Sequence, residues 1–124
     1  MGYEQKFYIV VDHPTMKGLG ECKDRTWAEV IAMYDYSKDN DFAGFIDRNG
    51  VDTDCYIYAD DGNTEVYEDS CGEIMKEIEI LDILQYLKNK NTDYRRHAPF
   101  VALLESFYNN KDRFPGLKIL RYGH

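Results

Sequence analysis

Apolar positions recur along this chain in two periods, and the switch between them marks out its elements. Residues 6–12 (Lys-Phe-Tyr-Ile-Val-Val-Asp) form a short run rich in aromatic and β-branched residues, the pattern of a strand covered on both faces. His13-Pro14 ends it, and a loop containing Gly18 and Gly20 leads on to Thr26. Thr26 and Glu29 stand at capping-box spacing, and Trp27, Val30, Ile31 and Tyr34 fall at i, i+3, i+4 and i+7, so the pattern predicts a helix starting at Thr26. A shorter amphipathic piece, Phe42 to Ile46, has Asp41 at an N-cap position and Asn49-Gly50 as a left-handed stop.

Residues 54–59 and 64–68 alternate and are joined by Asp60-Asp61-Gly62-Asn63, a strong hairpin signal. In the first of these strands Cys55, Ile57 and Ala59 share one face, and Tyr56 and Tyr58 share the other. Residues 73–77 fit either a third short strand or the start of a helix. Ile80, Ile83, Leu84 and Leu87 predict a helix over residues 79–89, with Lys88 and Lys90 suiting its C-terminal dipole. Residues 91–97 read as a connector. Pro99 suits a first helical position, Phe100, Leu103, Leu104 and Phe107 give the last apolar stripe, and residues 117–122 close the chain as a strand. With the short helix set aside and the last two merged, the order is β-α-β-β-α-β. That is the split βαβ arrangement: an α+β sandwich, one domain over residues 1–124, with a mainly antiparallel sheet and helices on one face.

Charge changes this picture more than bulk composition does. The 124 residues are 44% apolar and 15% aromatic, enough to build a core despite 31% charged residues. Between Asp35 and Asp82, however, fifteen acids face three bases, a formal −12 in a chain whose total is −8, leaving +4 for the remainder. The first residues lack the apolar run of an export signal and no stretch approaches the length of a membrane span, so a cytoplasmic protein with reduced Cys22, Cys55 and Cys71 is expected.

Catalytic and cofactor signatures are weak. Gly18-Leu-Gly20 follows a strand, but Lys23 stands where a dinucleotide fingerprint needs its third glycine. Asp52 and Asp54, with Asp60, Asp61 and Asn63, offer oxygen ligands to a hard cation, yet no window fits an EF-hand loop. The three histidines and three cysteines lack the close spacing of structural zinc sites, and neither Ser70 nor Ser106 sits in a nucleophile elbow. No catalytic residue, cofactor or metal is therefore assigned. Phe7, Tyr8, Tyr56, Tyr58 and Tyr67 stand where RNA-binding sheets carry stacking rings, but the carboxylates around the hairpin repel a phosphate backbone.

The expected site is the hairpin itself, as a surface for a basic protein partner: Asp52, Asp54, Tyr56, Tyr58, Asp60, Asp61, Glu65, Tyr67, Glu68, Asp69 and Glu73. Carboxylates on alternate strand positions approximate the phosphate interval of one nucleic-acid strand, and the tyrosines add apolar anchors. Two alternatives stand beside this. One is self-association of the acidic centre with the basic C-terminal third (Lys88, Lys90, Arg95, Arg96, Lys111, Arg113, Lys118 and Arg121), and the other is a metal-dependent enzyme using Asp52 and Asp54.

Residues 6–11, 26–33 (Thr-Trp-Ala-Glu-Val-Ile-Ala-Met), 54–62 (Asp-Cys-Tyr-Ile-Tyr-Ala-Asp-Asp-Gly), 93–96 (Asp-Tyr-Arg-Arg) and the closing Tyr122-Gly-His124 together resemble the small acidic accessory proteins of bacteriophages and prophages. That group includes anti-CRISPR and other anti-defence inhibitors, several of which mimic nucleic acid. The resemblance implies a non-enzymatic inhibitor acting in a bacterial host's cytoplasm on a nucleic-acid-binding protein, and it carries over no functional residues.

Overall fold

The longest pairing in the molecule joins the first expected strand to the segment whose spacing predicts a helix. In the computed structural model, which describes residues 4–37, 40–89 and 94–123, β1 (Glu4–Lys17) runs antiparallel to β2 (Thr26–Ser37). The expected helix at Thr26 is thus a strand. Its apparent helical stripe has a physical origin in a β-bulge: Ile9 faces Ala32 and Val10 faces Val30, so Ile31 is the extra residue. A bulge exchanges the two faces of a strand. Ala28 and Val30 side with Val10, whereas Ala32 and Tyr34 side with Phe7 and Ile9, and two period-2 segments out of phase imitate a period of 3.6. Nor does Thr26 cap a helix; its hydroxyl donates to Asp12 Oδ1 at 2.7 Å and its amide to the Asp54 carbonyl at 3.2 Å.

After β2 come α1 (Asn40–Asn49), β3 (Val51–Asp52), β4 (Cys55–Tyr58), β5 (Glu65–Val66), β6 (Lys76–Ile78), α2 (Ile80–Asn89), α3 (Tyr94–Asn109) and β7 (Leu117–Tyr122). The class is α+β, as expected, with a mostly antiparallel sheet and the helices on one face. The connectivity is not split βαβ, because β2 replaces the first helix. Three local differences follow. α1 starts earlier and ends later than Phe42–Ile46, and Gly50 is not the expected left-handed stop, since its φ is not positive; glycine is needed there because a Cβ would meet the Ile46 carbonyl at 2.8 Å. Residues 76–78 settle as strand. α3 begins at Tyr94 with Pro99 inside it, while Lys90 and residues 91–93 of the expected connector lie outside the described residues.

Strand order is β3-β6-β7-β1-β2-β4-β5. The far end of β5 then returns toward β6, through a Glu68–Ile74 bridge and a bond from the Met75 amide to the Tyr67 carbonyl at 3.0 Å, so the sheet curls almost into a barrel. Inside the curl Val10, Ala28, Cys55, Ile57, Met75 and Leu120 pack together. On the other face Phe7, Ile9, Tyr36 and Ile119 meet Phe42 and Ile46 of α1, Ile83 and Leu87 of α2, and Phe100 and Leu104 of α3. The Tyr36 hydroxyl and His97 Nδ1 are hydrogen-bonded within this layer. Among the described residues no helix is long and apolar enough to cross a membrane.

Candidate protein-interaction surface

The expected hairpin forms where the sequence places it. Ala59 donates to the Thr64 carbonyl at 2.8 Å, Gly62 donates to the Ala59 carbonyl at 2.9 Å with φ +74°, and β4 and β5 pair through Ile57–Val66 and Tyr58–Glu65. Asp61 is spent on this turn. Its carboxylate accepts from the Thr64 hydroxyl and from the amides of Asn63 and Thr64, which together hold its pKa below the ordinary value.

The two faces of β4 separate as expected, Cys55 and Ile57 pointing into the curl and Tyr56 and Tyr58 pointing away. What covers the tyrosine face is the loop from Gly18 to Cys22. Tyr56 lies beneath it, 2% exposed, and a Cβ at Gly18 would come within 2.9 Å of the Tyr56 ring and 2.6 Å of Cys22 Cβ. The Gly18-Leu-Gly20 sequence therefore answers to close approach at Gly18 and a φ of +54° at Gly20, not to a phosphate. Glu65 Oε1 accepts the Leu19 amide at 2.9 Å, and Tyr67 donates to Glu21 Oε2 at 3.2 Å while the Arg25 guanidinium lies 4.0 Å above its ring. Hydrogen bonding to Glu68, with Glu21 nearby, pushes the Tyr67 hydroxyl up to about 12.

Between loop and hairpin runs a groove of about 540 Å³ lined by Leu19, Glu21, Cys22, Tyr58, Gly62, Asn63, Glu65 and Tyr67. Its apolar rim is presented outward: Leu19 is 80% exposed and Tyr58 40% exposed. Trp27 continues the same face, with its ring 6.1 Å from Tyr58 and stacked on His13 at 4.6 Å, and His13 Nε2 is 3.0 Å from Glu29 Oε1. Leu19, Trp27, His13, Glu21 and Glu29 were not among the expected site residues. The signal was present in Trp27 itself, one residue into a strand parallel to β4, but the helical spacing concealed it.

The eleven expected residues divide. Tyr58, Glu65 and Tyr67 line the groove, Tyr56 is buried beneath the neighbouring loop, and Asp60 and Asp61 form the adjacent turn. Asp54 is exposed at the approach to β4, and Glu68 is half-buried at the bridge that closes the curl. Asp52 lies on the opposite edge strand, paired with Lys76 at 2.8 Å; Asp69 accepts the amides of Cys71 and Glu73 in the next turn; Glu73 lines a separate recess with Asp47, Lys76 and Arg121. β4 and β5 carry one acid between them, so the carboxylates gather in turns and loops and not as a row at the phosphate interval. Among the described residues no group of three or more His, Cys, Asp and Glu is placed to hold a metal ion.

Two other clusters are structural. At one mouth of the curl, Lys118 Nζ lies 3.3 Å from Asp12 and 3.4 Å from Glu77, Thr53 donates to Glu77 at 3.0 Å, and the Thr26 hydroxyl is 3.5 Å from Cys55 Sγ. Burial pushes the Cys55 thiol up, so it stays protonated and unreactive. For Lys118, burial acts to lower the pKa but is outweighed by Cys55, Glu77 and Asp12, leaving it raised. Arg121, buried on the helix face, pairs with Asp47 at 2.7 Å. Lys118 and Arg121 are thereby spent within the molecule, which weakens the self-association alternative. A larger groove of about 740 Å³ between α1 and α2 has the stacked Phe45 and Tyr86 as its floor, rings 4.2 Å apart, with Asp41, Asp82 and Arg48 at its rim; it brings together no nucleophile and base. Comparison with family models, with curated proteins and with solved structures finds no match to this chain.

Proposed function

We propose that this protein is a non-enzymatic binding module that occupies a basic surface of another protein, of the kind that carries nucleic acid, and thereby inhibits it. The observation that supports this reading is the lining of the hairpin groove: two carboxylates, two tyrosines and an exposed leucine, with no lysine, arginine or histidine. Large amphipathic anchors set beside carboxylates suit a docking face, in which Tyr58 and Leu19 desolvate at the centre while the acids steer and select. Asp60, exposed in the adjacent turn, extends the acidic rim.

The test is affinity capture from nuclease-treated lysate with the wild-type chain and with a triple variant, Tyr58→Ala, Glu21→Lys and Asp60→Lys, whose positions are surface-exposed. The wild type should retain a cationic protein that salt and added double-stranded DNA both displace, and the folded variant should not. Equal capture by the two, or a captured protein indifferent to salt, would overturn the reading.

A further inference from the structure

β2 is paired along β1 for almost its whole length, but on its other side β4 meets it only at Thr26 and Trp27. Beyond Trp27 the hairpin curls away. Among the described residues no backbone group bonds to the outer edge of β2 from Ala28 to Asp35. β2 contains no lysine, arginine or proline, and Val30 and Met33 are exposed on this edge together with Glu29 and Asp35, with the bulge at Ile31 between them. The bulge at Ile31 places Val30 and Met33 on one face, the face away from the helices that also carries Tyr8.

A row of unsatisfied N–H and C=O groups beside apolar side chains is a template for an added strand. Charge selects the occupant. A second copy of this chain would bring Glu29 and Asp35 against the same acids, the nearest bases being His13 and Lys6 on β1 behind them, whereas an extended basic segment would bring new cations to both from the open side. We propose that the partner's basic segment adds to the edge of β2 as a strand, with aliphatic side chains on Val30 and Met33, a cation next to them at Asp35 on the same face, and a cation at Glu29 on the opposite face. This rests on the reading of a basic protein partner and specifies how part of that partner is held.

The probe is a nine-residue peptide alternating valine and lysine, with lysine replacing the valine at each end and both termini blocked, and a control of the same sequence N-methylated at residues on both edges. Hydrogen exchange on the full chain at low salt should show at least tenfold slowing at alternate amides between Ala28 and Asp35 on adding the first peptide, and none with the control. Val30→Lys with Met33→Lys should weaken binding at least tenfold. Equal binding of the N-methylated control would show charge attraction without strand addition and would overturn the proposal, as would slowing confined to the hairpin groove. Either result leaves lysate capture through Tyr58 to decide the broader reading separately. Slowing of the same amides with protein concentration alone, in the absence of peptide, would assign the edge to a second copy and overturn the proposal too.

Discussion

The helix-covered face and the hairpin end are both built from aromatic rings, and they differ in what else those rings touch. Under the helices the rings pack on one another: Phe7 with Phe42 at 5.4 Å, Tyr34 with Phe100 at 4.7 Å, Phe45 with Tyr86 at 4.2 Å. At the hairpin end the rings have charged neighbours, Tyr67 lying between Arg25 and Glu21, and Tyr58 opens to solvent beside Glu65. Rings packed on rings secure a fold, and rings interleaved with carboxylates leave binding capacity on the surface. The contrast shows that the acidic block is not a uniform face. Asp52, Asp61, Asp69, Glu77 and Asp47 hold turns, strands and α1 in place, so only a subset of the −12 charge is left to meet a partner.

The largest expected effect lies on the helix face. Phe42→Ala or Phe100→Ala, each fully buried, should cost about 3–5 kcal/mol in urea unfolding, while the protein that remains folded captures its partner normally. Next, Gly18→Ala forces the loop off Tyr56 and Cys22 and should cost about 1–3 kcal/mol. Because that loop carries Leu19, this variant should also weaken capture, which breaks the separation of the two regions at a chosen point. Lys118→Met leaves Asp12 and Glu77 facing each other and should cost about 1–3 kcal/mol near neutral pH. The folded-state pKa of Lys118 is raised, so its contribution is fully present below the ordinary lysine range and is lost as pH rises through the raised value. Thermal unfolding across alkaline pH should therefore show the wild type converging on the variant.

Smaller effects fall at the hairpin. Tyr58→Ala, which removes a ring packed on Tyr56 and Trp27, should cost about 1–2 kcal/mol in stability and weaken partner binding by the folded protein at least tenfold, read by titration calorimetry. Asp61→Ala should loosen the turn, seen as faster exchange of the Asn63 and Thr64 amides. The Asp61 pKa is lowered in the folded state, so the difference from wild type should be complete above the ordinary carboxylate range and vanish as pH falls through the lowered value.

Much of this architecture is legible in local pattern. The hairpin, α2 and β7 follow from alternation, from Asp61-Gly62 and from the Ile80–Leu87 stripe, because in each a single period runs unbroken. β2 carries a helical spacing because one residue, Ile31, shifts the phase of a strand; only the pairing with β1 reveals that, and pairing is non-local. The same limit governs the site. Tyr58, Glu65 and Tyr67 were found because they sit on one hairpin, whereas Leu19, Glu21 and Trp27 join them from chain segments more than thirty residues away. Asp52, Asp69 and Glu73 were included on charge alone, and charge does not distinguish a carboxylate that faces solvent from one that caps a turn.

The most direct test exploits two side chains of nearly equal exposure on the contrasting regions, Tyr58 at 40% and Leu81 of α2 at 41%. Each is replaced in turn by a photo-crosslinking phenylalanine analogue, and the folded proteins are irradiated in cell lysate at low salt. An adduct with a cationic protein at position 58 and none at position 81 is the expected result; equal labelling at both positions, or labelling at 81 alone, would contradict the assignment of binding to the hairpin end.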